Sequence, residues 1–213
     1  MDNFTFFNPT QFVFGKNAES LVGEKMKERG FTKVLIVYGQ GSVLRSGLLS
    51  RVKDSLEAAH LPYQELGGIV PNPVDAPVYE GIRLVKEYDL NCVLGLGGAS
   101  ALDTAKAIAV GALYDGDFWD FYSGKASVEK ALPIISIPTI SAAGSESSNS
   151  SVITNVGLSL KRGMRSENIR PKLALMNPVL TYTVPAIQKA YGVADIMSHI
   201  FERYFTNTQD VAL

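Results

Sequence analysis

The sequence is poor in the residue types from which disulfides and histidine-rich metal centres are built. Its 213 residues include one cysteine, Cys92, and two histidines, His60 and His199. A single cysteine excludes an intrachain disulfide and fits a reducing compartment. Its setting, NCVLGLGG, is that of a buried strand, so packing rather than catalysis is expected of it. An excess of charge of one sign is also missing. Twenty Lys and Arg oppose 21 Asp and Glu, for a formal net charge of -1 with no basic block. That balance gives no electrostatic reason to expect nucleic acid or an anionic membrane as partner. No apolar run is long enough to span a bilayer. The opening MDNFTFFNPTQFVFG lacks the charged-then-apolar layout of a secretory signal, so a cytoplasmic location is expected.

Hydrophobic residues make up 46% of the chain, enough for a buried core in one domain, or in one domain and part of a second. KVLIVYG (33–39) is a β-branched run stopped by glycine, the pattern of a buried parallel strand. A helical pattern follows from about Gly47 to His60, where the histidine marks a surface helix end. PYQEL (62–66) fits a second strand, and the prolines of VPNP predict an extended turn after it. VYEGIRLVKEYDL (78–90) and ALDTAKAIAVGAL (101–113) have apolar residues at helical spacing, with the strand NCVLGLGG between them. LPIISIPT (132–139) is a further strand. SAAGSESSNSSVITN (141–155) is a polar loop that re-enters extended structure at SVIT, and KLALMNP (172–178) is the last strand. Such alternation predicts an α/β fold: an open parallel Rossmann-like sheet with helices on both faces. From TYTVPAIQKAYG onward the pattern is helical, with a proline near a helix start. The expected division is an α/β dinucleotide-binding domain over 1–180 and the first helices of an all-helical domain over 181–213.

Open parallel sheets bind ligands beyond the C-terminal ends of their strands. Three polar, glycine-containing turns fall there: GQGS after the first strand, GGAS (97–100) after the third, and PTISAAGSE (138–146) after the fourth. Gly97 and Gly98 let backbone approach a phosphate, and Ser100 begins a helix whose free N–H groups favour an anion. The GxGxxG fingerprint is absent. GGAS by itself is equally an ordinary tight turn with an N-cap. Asp103 reads as dipole compensation in the first turns of that helix. Lys106 reads as a surface residue or as the partner of a nearby carboxylate. Near the other end of the chain, YGVADIMSHIFERYF places Asp195 and His199 four residues apart, one above the other on one helix face.

In combination these stretches are far more specific. GGASALDTAK resembles the signature Gly-Gly-Gly-Ser-x-x-Asp-x-x-Lys of the iron-containing alcohol dehydrogenases. PTISAAGSE resembles that family's Pro-Thr-Thr/Leu-x-x-Thr-Gly-Ser-Glu, and NPVLTYTVPAIQKAYGVADIMSHIFERYFT resembles the segment with its first two metal ligands. FFNPTQFVFGKNA and VPNP extend the resemblance over the whole chain. The turn YGQGS is similar to the YGGGS of the butanol dehydrogenase and aldehyde reductase branch. A glycerol dehydrogenase or dehydroquinate synthase type shares the sheet and glycine turn but fits the Asp195 region less well.

The resemblance implies a metal- and NADP(H)-dependent enzyme moving a hydride between the nicotinamide and a small aldehyde or alcohol such as butyraldehyde or butanol. Asp195 and His199 match two of the four ligands, one Asp and three His, of a divalent metal, usually Fe²⁺ and sometimes Zn²⁺, that acts as a Lewis acid on the substrate oxygen. The family's other two histidines lie downstream, and none follows His199. The chain is therefore expected to be a truncated member or fragment, and the ending TNTQDVAL agrees. The alternative from another class is a catalytically inactive nucleotide-binding remnant. The resemblance further implies that Gly97, Gly98, Ala99 and Ser100 contact the pyrophosphate. Thr139, Ser141 and Ser145 border the adenosine and nicotinamide halves, Lys161 lies near the nicotinamide ribose, Asn72 lines the cleft, and Asp103 approaches the nicotinamide. Gly39, Gly41 and Ser42 replace the acidic turn of NAD-preferring relatives, which predicts NADPH over NADH. Ala99, Ala143 and Asn177 depart from the family pattern of Gly, Thr and Asp. Relatives are commonly homodimers, and FFNPTQFVFG is a candidate edge strand for pairing. Without the missing helices, Ile187, Ile196, Ile200, Phe201 and Phe205 are expected to leave an apolar face open.

Overall fold

The structure is a computed structural model that describes residues 7–205; Phe6 of the candidate edge strand and the TNTQDVAL ending lie outside the described residues. The elements run β1 (Gln11–Phe14), α1 (Val22–Lys27), β2 (Val34–Gly39), α2 (Ser42–Arg45), α3 (Leu48–Ala58), β3 (Tyr63–Ile69) and α4 (Asp75–Tyr88). They continue with β4 (Cys92–Gly97), α5 (Ala99–Gly111), α6 (Trp119–Ser123), β5 (Ile134–Pro138), β6 (Ser150–Asn155), β7 (Leu160–Arg165), β8 (Leu173–Met176) and α7 (Ala186–Phe205).

Six strands form one parallel sheet in the order β1-β8-β5-β4-β2-β3. The expected open parallel sheet is therefore present, and β1 occupies an edge. The buried run of β2 explains why it lies inside the sheet. Val34 and Ile36 point to one face and join α1 and α3 through Val22, Met26, Val52 and Leu56. Leu35 and Val37 point to the other and join α4 and α5 through Val78, Val85 and Ile108. Both faces of the sheet are thus covered by helices, which selects β-branched residues at consecutive positions. On β4, Gly95 lets α5 lie directly on the sheet: a Cβ there would stand 3.2 Å from the Leu102 Cα.

Two features depart from the sequence reading. The extended stretch at SVIT is one arm of an antiparallel hairpin, β6–β7, whose second arm LKRGMR was not anticipated. Only Met164 of that arm is buried, so it carries no hydrophobic alternation to read. Asn72 in VPNP is not extended but left-handed, with φ 55°. The hairpin docks on that turn, where the Thr154 N–H donates to the Pro73 carbonyl at 2.9 Å.

After β8 the chain makes a short 3-10 turn (Pro178–Thr181) and enters α7, whose first N–H bonds go from Gln188 and Lys189 to the Pro185 carbonyl. Pro185 thus stands just outside the helix. Ile187, Ile196, Ile200, Phe201 and Phe205 of α7 are all exposed, as the sequence leads one to expect.

Candidate functional site

The cleft is built from the glycine turn upward. β4 ends at Gly97 with φ 138°, a region closed to residues with a Cβ. Gly98 is the N-cap of α5. The first bonded N–H groups of that helix are those of Ala101 and Leu102, both donating to the Gly98 carbonyl at 3.1 and 3.3 Å. The N–H groups of Ala99 and Ser100 come before this ladder and face outward from the helix start, the arrangement that suits a phosphate. Ser100 is the second helical residue, so the sequence reading of it as the helix start is corrected: Gly98 caps α5 with backbone alone. Ala99 has no positive φ, so the methyl that replaces a family glycine costs the turn nothing in backbone strain.

The opposite wall follows β5. The Thr139 N–H donates to the Gly97 carbonyl at 3.0 Å, which joins the two turns directly. Ser141 and Ala143 are exposed beyond it, Gly144 turns the chain with φ 67°, and Ser145 is buried.

Beneath both walls lies a buried ionic network. The Lys106 side chain is fully buried. Its Nζ donates to Ser145 Oγ, Ser148 Oγ and the carbonyls of Ser148 and Ser150, each at 3.0 Å. Asp103, one turn earlier, accepts from the Ser145 hydroxyl at 3.3 Å and from the Val152 N–H at 3.3 Å. Tyr122 on α6 bonds Ser151 at 2.7 Å, and Ser151 donates to the Asp103 carbonyl at 2.9 Å. Burial raises the Asp103 carboxyl to about 6 and lowers the Lys106 ammonium to about 8. Neither residue is the solvated helix charge that its position in the sequence invites.

At the far side, Lys161 on β7 donates to the Asn72 Oδ1 at 2.7 Å, so the structure brings these two candidate residues together. Gly39, Gly41 and Ser42 sit at the end of β2, where the Arg45 guanidinium folds over Gly41: its Nη1 stands 2.5 Å from where a Cβ on Gly41 would be.

Asp195 and His199 are set apart from this constellation. They face each other on α7 with Oδ1 and Nε2 3.7 Å apart, and both are more than half exposed. An Asp oxygen and a His nitrogen suit iron or zinc. No third His, Cys, Asp or Glu joins them among the described residues. A cleft of about 230 Å³ separates α7 from the second wall, lined by Ile140 and Ser141 on one side and Gln188, Gly192 and Ile196 on the other.

A family profile described as iron-containing alcohol dehydrogenase matches residues 9–178. The chain belongs to the iron-containing alcohol dehydrogenase family. Among members of that family, it is 42% identical over 213 residues to the probable NADH-dependent butanol dehydrogenase 2 of Bacillus subtilis, covering 100% of this chain and 54% of that protein. It is 36% identical to the NADPH-dependent aldehyde reductase of Escherichia coli, again over 100% of this chain and 55% of that protein. The crystal structure of NADH-dependent butanol dehydrogenase A from Thermotoga maritima superposes with a TM-score of 0.94 at 43% identity, covering 98% of this chain and 52% of that one. The chain thus spans about half the length of the relatives it matches.

The buried Lys106, the second hairpin arm and the Arg45 contact are the site features that sequence reasoning missed or left open. A signal for the first was present. Four serines between 145 and 150 offer an ammonium more oxygen partners than a solvated loop requires.

Proposed function

We propose that this chain supplies the cofactor half and two metal ligands of a metal- and nicotinamide-dependent alcohol dehydrogenase acting as an aldehyde reductase. The observation that carries the reading is a juxtaposition. The Thr139 N–H ties the Gly97–Ser100 turn to the second wall, and that wall, through Ile140 and Ser141, faces the helix that bears Asp195 and His199 across the 230 Å³ cleft. When bound, the nicotinamide supplies the hydride and the divalent metal supplies Lewis acidity at the substrate oxygen. The chain's own groups then have distinct tasks. Backbone N–H groups of Ala99 and Ser100 hold the pyrophosphate. Ser145 and Asp103 orient the nicotinamide end, and Lys161 with Asn72 closes the ribose side. Asp195 and His199 hold the metal. Residues 181–213 open a helical metal-binding domain. The substrate class, small aldehydes and primary alcohols such as butyraldehyde and butanol, follows the names of the relatives.

For the nucleotide we propose NADP(H). The Gly39–Ser42 turn carries no carboxylate to repel a 2′-phosphate, and the Arg45 guanidinium over Gly41 is placed to pair with one. The relatives' names lean the other way, NADH for the Bacillus and Thermotoga proteins at 42% and 43% identity and NADPH for the Escherichia one at 36%. Comparing the affinities of 2′,5′-ADP and 5′-AMP decides the point. A preference for 2′,5′-ADP that R45A abolishes supports NADP(H), and equal affinities remove it. The exposed Phe12 and Phe14 of edge strand β1 support a homodimer for the longer protein. No described helix is long and apolar enough to cross a membrane, in keeping with a cytoplasmic enzyme.

One observation favours a second reading, a nucleotide-binding unit without turnover: only two metal ligands come together among the described residues. The test is NADPH-dependent reduction of butyraldehyde by the metal-depleted chain, then with Fe²⁺ or Zn²⁺ restored, with NADPH binding recorded in parallel. Metal-dependent turnover establishes the enzyme. Binding without turnover means an intact cofactor half without the rest of its metal site, and only a longer chain carrying the further ligands, tested for turnover, then separates the two readings. Absence of binding refutes both.

A further inference from the structure

Among the described residues, Lys106 is the only buried lysine or arginine, and the proposed chemistry gives it no task. Fully burying an ammonium costs several kcal/mol unless strong hydrogen bonds repay the lost hydration. Here every bond it makes goes to one segment: Ser145 Oγ, both oxygens of Ser148 and the Ser150 carbonyl, all at 3.0 Å. Three N–H groups serve four acceptors, so the contact to Ser148 is shared between its hydroxyl and its carbonyl. No carboxylate lies within ion-pair distance of Nζ among the described residues, so the ammonium is not half of a salt bridge. It is a fastener between α5 and the 145–150 segment.

What it fastens matters for the cleft. The N-terminal turn of α5 is one wall, through Gly98, Ala99 and Ser100. The segment from Thr139 to Ser145 is the other. Ser145 stands in the middle of a relay, accepting from Lys106 Nζ at 3.0 Å and donating to Asp103 Oδ1 at 3.3 Å. We propose that Lys106 is a positioning residue for the dinucleotide: its ammonium fixes the 145–150 segment against α5, orients the Ser145 hydroxyl toward Asp103, and so sets the spacing of the two cofactor walls. This deepens the proposed function and rests on the reading that these walls hold a nicotinamide dinucleotide.

The latch depends on pH. An ammonium makes charge-assisted bonds with three donors, and a neutral amine offers two weaker ones. Burial lowers this group to about 8, while Asp103 on its own helix and Glu146 on the facing segment oppose the shift and Arg170, beyond β7, adds to it. Asp103, raised to about 6, feels Lys161 from β7, and Tyr122 from α6 feels the Asp103 charge in turn. Between pH 7 and 9.5 Asp103 is already ionised and Tyr122, pushed far up by burial, stays neutral. Lys106 is the group in the network that changes charge in that window.

The experiment is titration of the 213-residue chain with NADH and with NADPH, followed by reduced-nicotinamide fluorescence, for wild type, K106M, S145A and the double variant, with thermal unfolding in parallel. The expected result is a loss of affinity of at least tenfold in K106M. S145A weakens binding too, and the double variant is no weaker than K106M, because both changes break one relay. A folded K106M with wild-type affinity, or losses that simply multiply in the double variant, overturns the proposal. If K106M does not fold, wild type alone decides. Its dissociation constant should rise severalfold between pH 7 and 9.5 with an unchanged circular dichroism spectrum, and a flat profile overturns the proposal. Wild type that binds neither dinucleotide refutes the proposed function together with this inference.

Discussion

Replacing Asn177 with Asp, the residue the family usually carries there, should destabilise this protein in a pH-dependent way. Asn177 is buried at the end of β8 and its side chain works in two directions. Its Oδ1 caps the following turn by accepting from the Val179 N–H at 3.0 Å, and its Nδ2 donates to Glu19 Oε2 at 2.8 Å. Glu19 is 1% exposed, and its other oxygen accepts from Arg51 Nε at 3.1 Å. Asp at 177 keeps the cap but sets a second carboxylate against the first. The lost bond to a charged acceptor is worth about 1.5–3 kcal/mol. Two charges ~3 Å apart repel by about 5–6 kcal/mol at an effective dielectric of ~20. Proton uptake limits that cost: holding one carboxyl neutral at pH 7 takes about 4 kcal/mol, and the shared proton restores a hydrogen bond. N177D should therefore be less stable than wild type by about 2–4 kcal/mol at pH 7, with Arg51 pulling toward the lower figure. The paired carboxyls of the folded variant hold a proton that the unfolded chain releases. The variant's deficit is then present at neutral pH and shrinks as pH falls, to about 1 kcal/mol at pH 5. Urea unfolding of both proteins at the two pH values measures this. A variant within ~0.5 kcal/mol of wild type at pH 7, or a gap that does not narrow at pH 5, would refute the reasoning. The departure at 177 thus answers to a buried glutamate near the start of the chain, and among the described residues the Asn177 side chain makes no bond to the glycine turns.

Further expectations concern the cleft and the exposed helix. The folded Asp103 carboxyl titrates near 6, above its unfolded range, so its contribution is fully present at low pH and is lost as pH rises from about 4 to 6, by up to about 3 kcal/mol. D103N removes that slope, and denaturant titrations of both proteins from pH 4 to 7 should show the variant gaining on wild type. Gly97→Ala has room for its methyl, 3.6 Å from the Ala101 Cβ, but not the backbone freedom at φ 138°. It should cost about 1–3 kcal/mol in thermal unfolding and weaken dinucleotide binding; unchanged stability would mean that the turn is not strained. Ile196 and Ile200 on α7 are about half exposed. Sedimentation should show concentration-dependent self-association of wild type that I196E/I200E abolishes, and a wild-type chain that stays monomeric would refute the open-face reading.

The sheet was legible because β2, β4 and β5 are buried on both faces, and a short continuous apolar run ended by glycine or proline is the pattern of a buried parallel strand. The glycine turns were legible for the same reason, since they end buried strands at the edge of the sheet where ligands bind in such folds. Lys106 was not. A charge on an amphipathic helix reads as solvated unless its partners are known, and these lie 39 to 44 residues further on. β7 escaped because its stability comes from pairing with β6 rather than from a buried face of its own. Glu19 meets Asn177 across 158 residues, a separation at which one sequence carries no local signal. For α7 the helix and its Asp195–His199 pair could be read, and so could its apolar side, which is exposed among the described residues.

The sheet order has a consequence for how the chain is made. β2, β3 and β4 pair within residues 34–97 and have their contacts as soon as that stretch leaves the ribosome. β1 is synthesised before them all, yet its only partner is β8, with Gln11 opposite Leu173 and Phe14 opposite Met176. The earliest strand is thus the last to find its place. It must wait, with its backbone N–H and C=O groups unpaired, through the synthesis of more than 150 further residues, the interval in which a nascent chain most needs a chaperone.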